Sequence, residues 1–144
     1  MRESAEVGWV YGFLFKVWAL ILSDIQEQAR RLLQVLLSTP FNSCATLTRE
    51  FRDLPPSPGL YAVKHQEHQL LYLGKTKKLR ERFRGGHKAF TWAWLDDYDH
   101  RDIRISFAPL SMIDVLKLGE ELEGILIQAT QTPYNARYPT RDWR

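Results

Sequence analysis

The run Pro55-Pro56-Ser57-Pro58 divides this chain into two parts with different periodicities. Each proline fixes its own φ and pushes the preceding residue into extended geometry, so no helix runs through the segment. Upstream the pattern is helical. Ile25, Ala29, Leu32, Leu33 and Leu36 recur at three- and four-residue spacing up to Pro40, and Ser23 with Gln26 has the form of a capping box. The first 38 residues therefore predict one bent helix or two consecutive ones, followed by a Ser-, Thr- and Pro-rich connector over residues 41–58.

Residues 7–22 are apolar apart from Lys16 and small or aromatic interruptions. As a helix this stretch would cover roughly 24 Å, short of the ~30 Å hydrocarbon layer, with a cation near its middle. Glu3 and Glu6 occupy the place where a signal peptide carries cations. The expectation is a helix packed on the domain or on a second copy as a homo-oligomer, and membrane association is not expected. Cys44 stands alone, which excludes an intramolecular disulfide and zinc-ligand spacing and fits a reducing, cytoplasmic location. With 144 residues and 44% apolar composition, the chain suffices for one domain plus an appendage. The predicted organisation is an N-terminal helical extension and linker over 1–50, a domain over 57–136, and a basic tail over 137–144 carrying Arg137, Arg141, Trp143 and Arg144.

Downstream of the prolines the pattern shortens. Residues 60–65 and 70–74 are β-prone runs separated by polar Gln66-Glu67-His68-Gln69, which predicts a hairpin. A two-residue turn at Gln66-Glu67 places Tyr61 directly opposite Tyr72, both on one face. Residues 77–84 predict a helix stopped by Gly85-Gly86, with Leu79 and Phe83 inward, and residues 87–95 a second helix. Ile103, Ile105 and Phe107 alternate as a half-exposed strand ended by Pro109. Ser111 and Asp114 open a last helix running to about Thr130. The order β, β, α, α, β, α implies an α+β fold: a small three-stranded antiparallel sheet flanked by helices.

Charge is concentrated beside the hairpin. Between Lys75 and Lys88 there are seven Lys or Arg and one acid, while the whole chain carries only +3. A local field of this kind suits a polyanion better than a high pI alone does.

Gly59-Leu60-Tyr61, Tyr72-Leu73-Gly74-Lys75, Leu79-x-x-Arg82, Glu123-x-x-Leu126-Ile127 and Pro133-x-Asn135, in this order, resemble the GIY-YIG nuclease superfamily. That family includes homing endonucleases, some restriction enzymes and the incision nucleases of excision repair. The resemblance implies a metal-dependent endonuclease hydrolysing DNA phosphodiester bonds. Leucine replaces isoleucine in both name motifs, which is harmless for strand burial. Where the family often has His or Tyr four residues after the helix arginine, this chain has Gly86, with His87 one step later; the Gly-Gly turn could let His87 swing into that place.

By family position Glu123 is the ligand for Mg²⁺ or Mn²⁺, and magnesium commonly uses only one or two protein carboxylates. Arg82 is placed on the scissile phosphate and Lys75 supplies a second cation. Tyr61 and Tyr72 line the site, and either could handle the proton of the attacking water. Making a phenolate at neutral pH costs roughly 4 kcal/mol unless cations lower the pKa. Lys77, Lys78, Arg80, Arg84, His87 and Lys88 are expected to contact the nucleic-acid backbone, and Asn135 is grouped with them while family position implies that it braces the site. One alternative is a nucleic-acid-binding module of the same fold that no longer cuts. Another makes the N-terminal helices a dimerisation or membrane-surface scaffold, with the basic helix touching anionic lipid.

Overall fold

A computed structural model describes the backbone of residues 2–137 and the side chains of residues 8–136. The upstream segment forms one uninterrupted helix, α1 (Arg2–Ser38), and the Ser23–Gln26 pair lies inside it rather than at a helix start. Only its C-terminal part packs on the domain, through Ala29, Leu32 and Leu36. Its end is held by a buried lysine: Lys64 Nζ donates to the carbonyls of Leu36 (3.1 Å), Leu37 (3.4 Å) and Thr39 (3.0 Å). A cation on the final carbonyls satisfies orphaned acceptors and complements the helix dipole. Residues 8–16 and 18–24 are exposed, including Trp9, Phe15 and Trp18.

The sheet has four strands, one more than the pattern predicts: β1 (Ala45–Thr46), β2 (Gly59–His65), β3 (Gln69–Thr76) and β4 (Ile103–Pro109), all antiparallel in the order β1-β4-β2-β3. The extra strand is two residues long, too short for any alternation to register. Among the described residues, four α-helices complete the domain: α2 (Leu79–Arg84), α3 (Lys88–Leu95), α4 (Met112–Thr130) and α5 (Pro133–Arg137).

The hairpin register differs from expectation. Tyr61 lies opposite Gly74 and Tyr72 opposite Val63, with an irregularity between Val63 and Lys64. Gln-Glu has no preference for a two-residue primed turn. The chain instead turns over Gln66–His68, where His65 Nδ1 accepts from the N–H groups of Glu67 (3.0 Å) and His68 (3.2 Å) and Gln69 takes a positive φ of 61°. The tyrosines become diagonal neighbours on one face, their centroids 6.1 Å apart.

Two apolar layers cover the sheet. On one face Tyr61, Val63, Tyr72 and Ile105 pack against Leu79 and Phe83 of α2 and Ala89, Trp92 and Ala93 of α3. On the other, Leu60, Ala62, Leu73 and Ala108 pack against Leu122 and Leu126 of α4 and the C-terminal part of α1. The α2–α3 face carries the tyrosines, and α4 rises past the free edge of β3.

Candidate active site

The two motif glycines are explained by close approach. A Cβ on Gly74 would stand 2.5 Å from both Cζ and Oη of Tyr61, and one on Gly59 would stand 2.4 Å from the Ala108 carbonyl oxygen and 2.6 Å from the Phe107 ring. Glycine opposite Tyr61 lets the phenol lie flat across β3 and reach α3.

It reaches His87. Gly85 caps α2, Gly86 turns at φ 91°, and His87 becomes the N-cap of α3 with its ring inward. Tyr61 Oη and His87 Nε2 are 2.8 Å apart, and His87 Nδ1 accepts from the Ala89 N–H at 3.0 Å. Phe83 stacks on the imidazole at 4.9 Å. Burial, followed by the charges of Arg82 and Lys88, lowers the His87 pKa to about 3, so the ring is neutral. With Nδ1 accepting, its one proton sits on Nε2, and His87 donates to Tyr61. The Tyr61 hydroxyl is thereby free to donate onward to Tyr72, and hydrogen bonding accordingly raises the pKa of Tyr61 and lowers that of Tyr72. Tyr72 also accepts from Arg82. The hydrogen bonds therefore run one way, from the Ala89 amide through His87 to Tyr61.

Burial is the largest influence on both phenols and raises both pKa values, that of Tyr61 strongly. The Glu123 carboxylate raises Tyr72 further, while Arg82 opposes it by charge. Tyr72 thus interacts with a guanidinium from α2 and a carboxylate from α4. Glu123 is half-buried, one residue beyond core Leu122 and turned to the β3 edge. Burial raises its pKa; the Lys75 N–H and charge lower it, Glu120 raises it, and Lys88 lowers it. The Lys75 stem passes α4 at Gly119, where a Cβ would meet its Cδ at 3.3 Å.

Tyr61, Tyr72, Lys75, Arg82 and Glu123 therefore share one region. Lys77, Lys78 and Arg84 are exposed to solvent nearby. Three residues grouped with them by sequence turn inward. His87 is bound to Tyr61 as described. Arg80 Nε donates to the Leu54 carbonyl at 2.8 Å, tying α2 to the proline connector. Asn135 is buried and clamps β3: its Oδ1 accepts from the Leu73 N–H and its Nδ2 donates to the Leu73 carbonyl, each at 2.8 Å, while the Thr132 hydroxyl donates to the same Oδ1. Lys88 is drawn toward the tyrosines, with Nζ 5.4 Å from the Tyr72 ring centroid. Sequence reasoning turned Phe83 inward with Leu79 but gave neither Phe83 nor Trp92 a place beside the site; their signal is spacing alone, Phe83 four residues after Leu79 and Trp92 four after Lys88. Arg141, Trp143 and Arg144 lie outside the described residues, as does the Arg137 side chain.

Among the described residues no cluster of three or more His, Cys, Asp or Glu could encage a metal. The donor set nevertheless fits Mg²⁺ or Mn²⁺. Glu123 is a half-buried carboxylate with Glu120 one turn away, both acids favouring a cation, and such hard ions complete their shells with water and substrate phosphate.

Residues 57–135 match the profile of the GIY-YIG catalytic domain. The chain is similar to UvrABC system protein C of Syntrophomonas wolfei, 29% identical over 82 residues covering 57% of this chain and 13% of that protein. It is also similar to UvrABC system protein C from two Synechococcus strains, 30% identical over 89 residues and 33% over 94, each covering 62% of this chain and 14% of the relative. The chain belongs to the GIY-YIG catalytic domain family, and it spans about one seventh of the length of these relatives.

Proposed function

We propose that this protein is a metal-dependent endonuclease that hydrolyses DNA phosphodiester bonds, with Tyr72 as the base. The observation that carries the reading is the hydrogen bond between neutral His87 and Tyr61, which engages one phenol and leaves Tyr72, on the same face with centroids 6.1 Å apart, beside Arg82. The Arg82 charge and hydrogen bonding act against the burial that raises the Tyr72 pKa. In its phenolate form Tyr72 takes a proton from water as the water oxygen bonds to phosphorus. The opposite P–O bond then breaks, and its oxygen leaves with a proton from solvent. Arg82 bridges Tyr72 and the phosphate, stabilising equatorial charge as it builds.

Glu123 would hold the ion, with Lys75 beside it. When bound, Mg²⁺ or Mn²⁺ supplies neutralising charge on the phosphate and offsets the carboxylate that raises Tyr72. Lys77, Lys78 and Arg84 would track the backbone on either side, giving salt-sensitive binding with little sequence preference. The bond between His87 and Tyr61 supports the cutting reading over the non-cutting module of the same fold.

Nicking of supercoiled plasmid with Mg²⁺ or Mn²⁺ at low salt tests the reading. Wild type nicks, and Tyr72→Phe, Arg82→Ala and Glu123→Ala each lose about 100-fold or more in rate. A wild type that leaves the plasmid intact, or variants that nick at its rate, would refute it.

A further inference from the structure

Lys88 is placed unlike the other cations of the basic segment. Lys77 and Arg84 extend into solvent, where a lysine keeps its hydration and rotamer freedom, and Lys78 pairs with Glu81 at 3.7 Å on the exposed surface. Lys88 is half-buried at the first position of α3, next to the inward His87. Its ammonium lies 5.4 Å from the Tyr72 centroid and 5.6 Å from that of Trp92, which is one helical turn further on and packed in the core. Two rings flank the ammonium and keep the charge beside Tyr72. This placement has costs. Burial and Arg82 both disfavour the charged form, and only Glu123 favours it. The first turn of a helix is also a poor place for a cation. A surface contact to remote phosphates would require none of this. The ammonium therefore sits at the phenol face of the site, and both the Arg82 and Glu123 charges are felt there.

We propose that Lys88 is a catalytic residue, a third cation at the scissile phosphate beside Arg82 and Lys75, gripping a non-bridging oxygen on the Tyr72 side opposite Lys75 and Glu123. The assignment rests on the phosphodiesterase reading above. It makes the phosphate site four-sided: Arg82 and Lys88 on the phenol side, Lys75 and Glu123 on the β3 edge. Trp92 is then a positioning residue, because it fixes the lysine stem without reaching the substrate.

The test separates rate from affinity. Cleavage of a labelled duplex is followed in a single turnover with saturating enzyme and Mg²⁺, and affinity is measured by fluorescence anisotropy without metal. Lys88→Met and Lys88→Gln lower the single-turnover rate by about 100-fold, while affinity changes by less than about threefold. Lys88→Arg recovers part of the rate. Lys77→Met provides the contrast, its loss appearing in affinity. Near-ultraviolet circular dichroism establishes that each variant keeps its aromatic packing, and having two truncations guards against one that fails to fold. Wild-type cleavage with undiminished rates in both truncations, or a rate loss no larger than the affinity loss, overturns the role of Lys88 and leaves the nuclease reading intact. Absence of cleavage by wild type overturns both.

Discussion

Acid should unfold this domain earlier than its carboxylates require, and the cause should be one imidazole. His87 is 5% exposed, stacked on Phe83, and neutral in the fold because burial and the Arg82 and Lys88 charges hold its pKa at about 3, against 6.5 for the free side chain. Below pH 6.5 the unfolded chain binds a proton that the folded chain refuses, so stability present at neutral pH is lost as pH falls toward 3. The slope approaches about 1.4 kcal/mol per pH unit, which puts the loss between pH 7 and pH 5 at about 2 kcal/mol from this residue alone. Glu27 and Asp99 also have lowered pKa values, but they are exposed and titrate below this window in folded and unfolded chain alike. Glu123 acts in the opposite sense, since a raised carboxyl pKa favours the fold as pH falls. Urea unfolding followed by tryptophan fluorescence at pH 7 and pH 5, for wild type and His87→Gln, isolates the effect. The variant is less stable at pH 7 because the Tyr61 contact is altered, yet its curve moves little on acidification. Equal losses for the two proteins between pH 7 and pH 5 would show that His87 is not the neutral donor inferred from its two hydrogen bonds.

Gly74→Ala puts a Cβ 2.5 Å from the Tyr61 hydroxyl and ring, so it should cost about 1–3 kcal/mol in thermal unfolding and reduce nicking by displacing Tyr61 from His87. Asn135→Ala strips the Leu73 N–H and carbonyl of buried partners and should cost about 2–4 kcal/mol in chemical denaturation, with faster amide exchange along β3. Deleting residues 1–24 removes no buried side chain among those described, so the remaining domain should keep its unfolding midpoint. The same deletion should suppress any self-association seen by light scattering or any liposome flotation, because the exposed Trp9, Tyr11, Phe15 and Trp18 leave with it.

Helices α2, α3 and α4 were legible in the sequence because their burial follows a single rule of spacing, whereas α5, five residues long, is too short to show one. Leu79 and Phe83, or Leu122 and Leu126, are pairs four residues apart that meet the sheet together. Ser111 likewise caps α4 by accepting from the Asp114 N–H. The register was not legible, since it depends on where His65 Nδ1 finds donors and on an irregularity at Val63, and neither leaves a mark on the apolar pattern. The strand β1 escaped because two residues carry no period. Within the site, order along the chain singles out Tyr61, Tyr72, Arg82 and Glu123 but not the direction of the hydrogen bonds among them. That direction follows from Gly86 at positive φ turning His87 inward and from the Ala89 amide occupying Nδ1. Composition permits this turn without dictating it.

The free edge of β3 joins stability to chemistry. An edge strand presents unpaired backbone groups that invite pairing with another chain, and folds usually blunt it with charge or a covering element. Here the outward-facing groups of alternate residues are met by side chains: Asn135 takes both the N–H and the carbonyl of Leu73, and Glu123 takes the N–H of Lys75. The proposed metal ligand is therefore part of the edge closure. The Lys75 amide favours its charged form, and a backbone donor cannot rotate away from it. The same contact limits what substitution can achieve. Glu123→Gln retains an acceptor for the Lys75 amide and should fold as wild type does, whereas Glu123→Ala opens the edge as well as emptying the ligand position. A difference in stability between the two variants, alongside equal loss of cleavage, would separate the structural task of this side chain from the catalytic one.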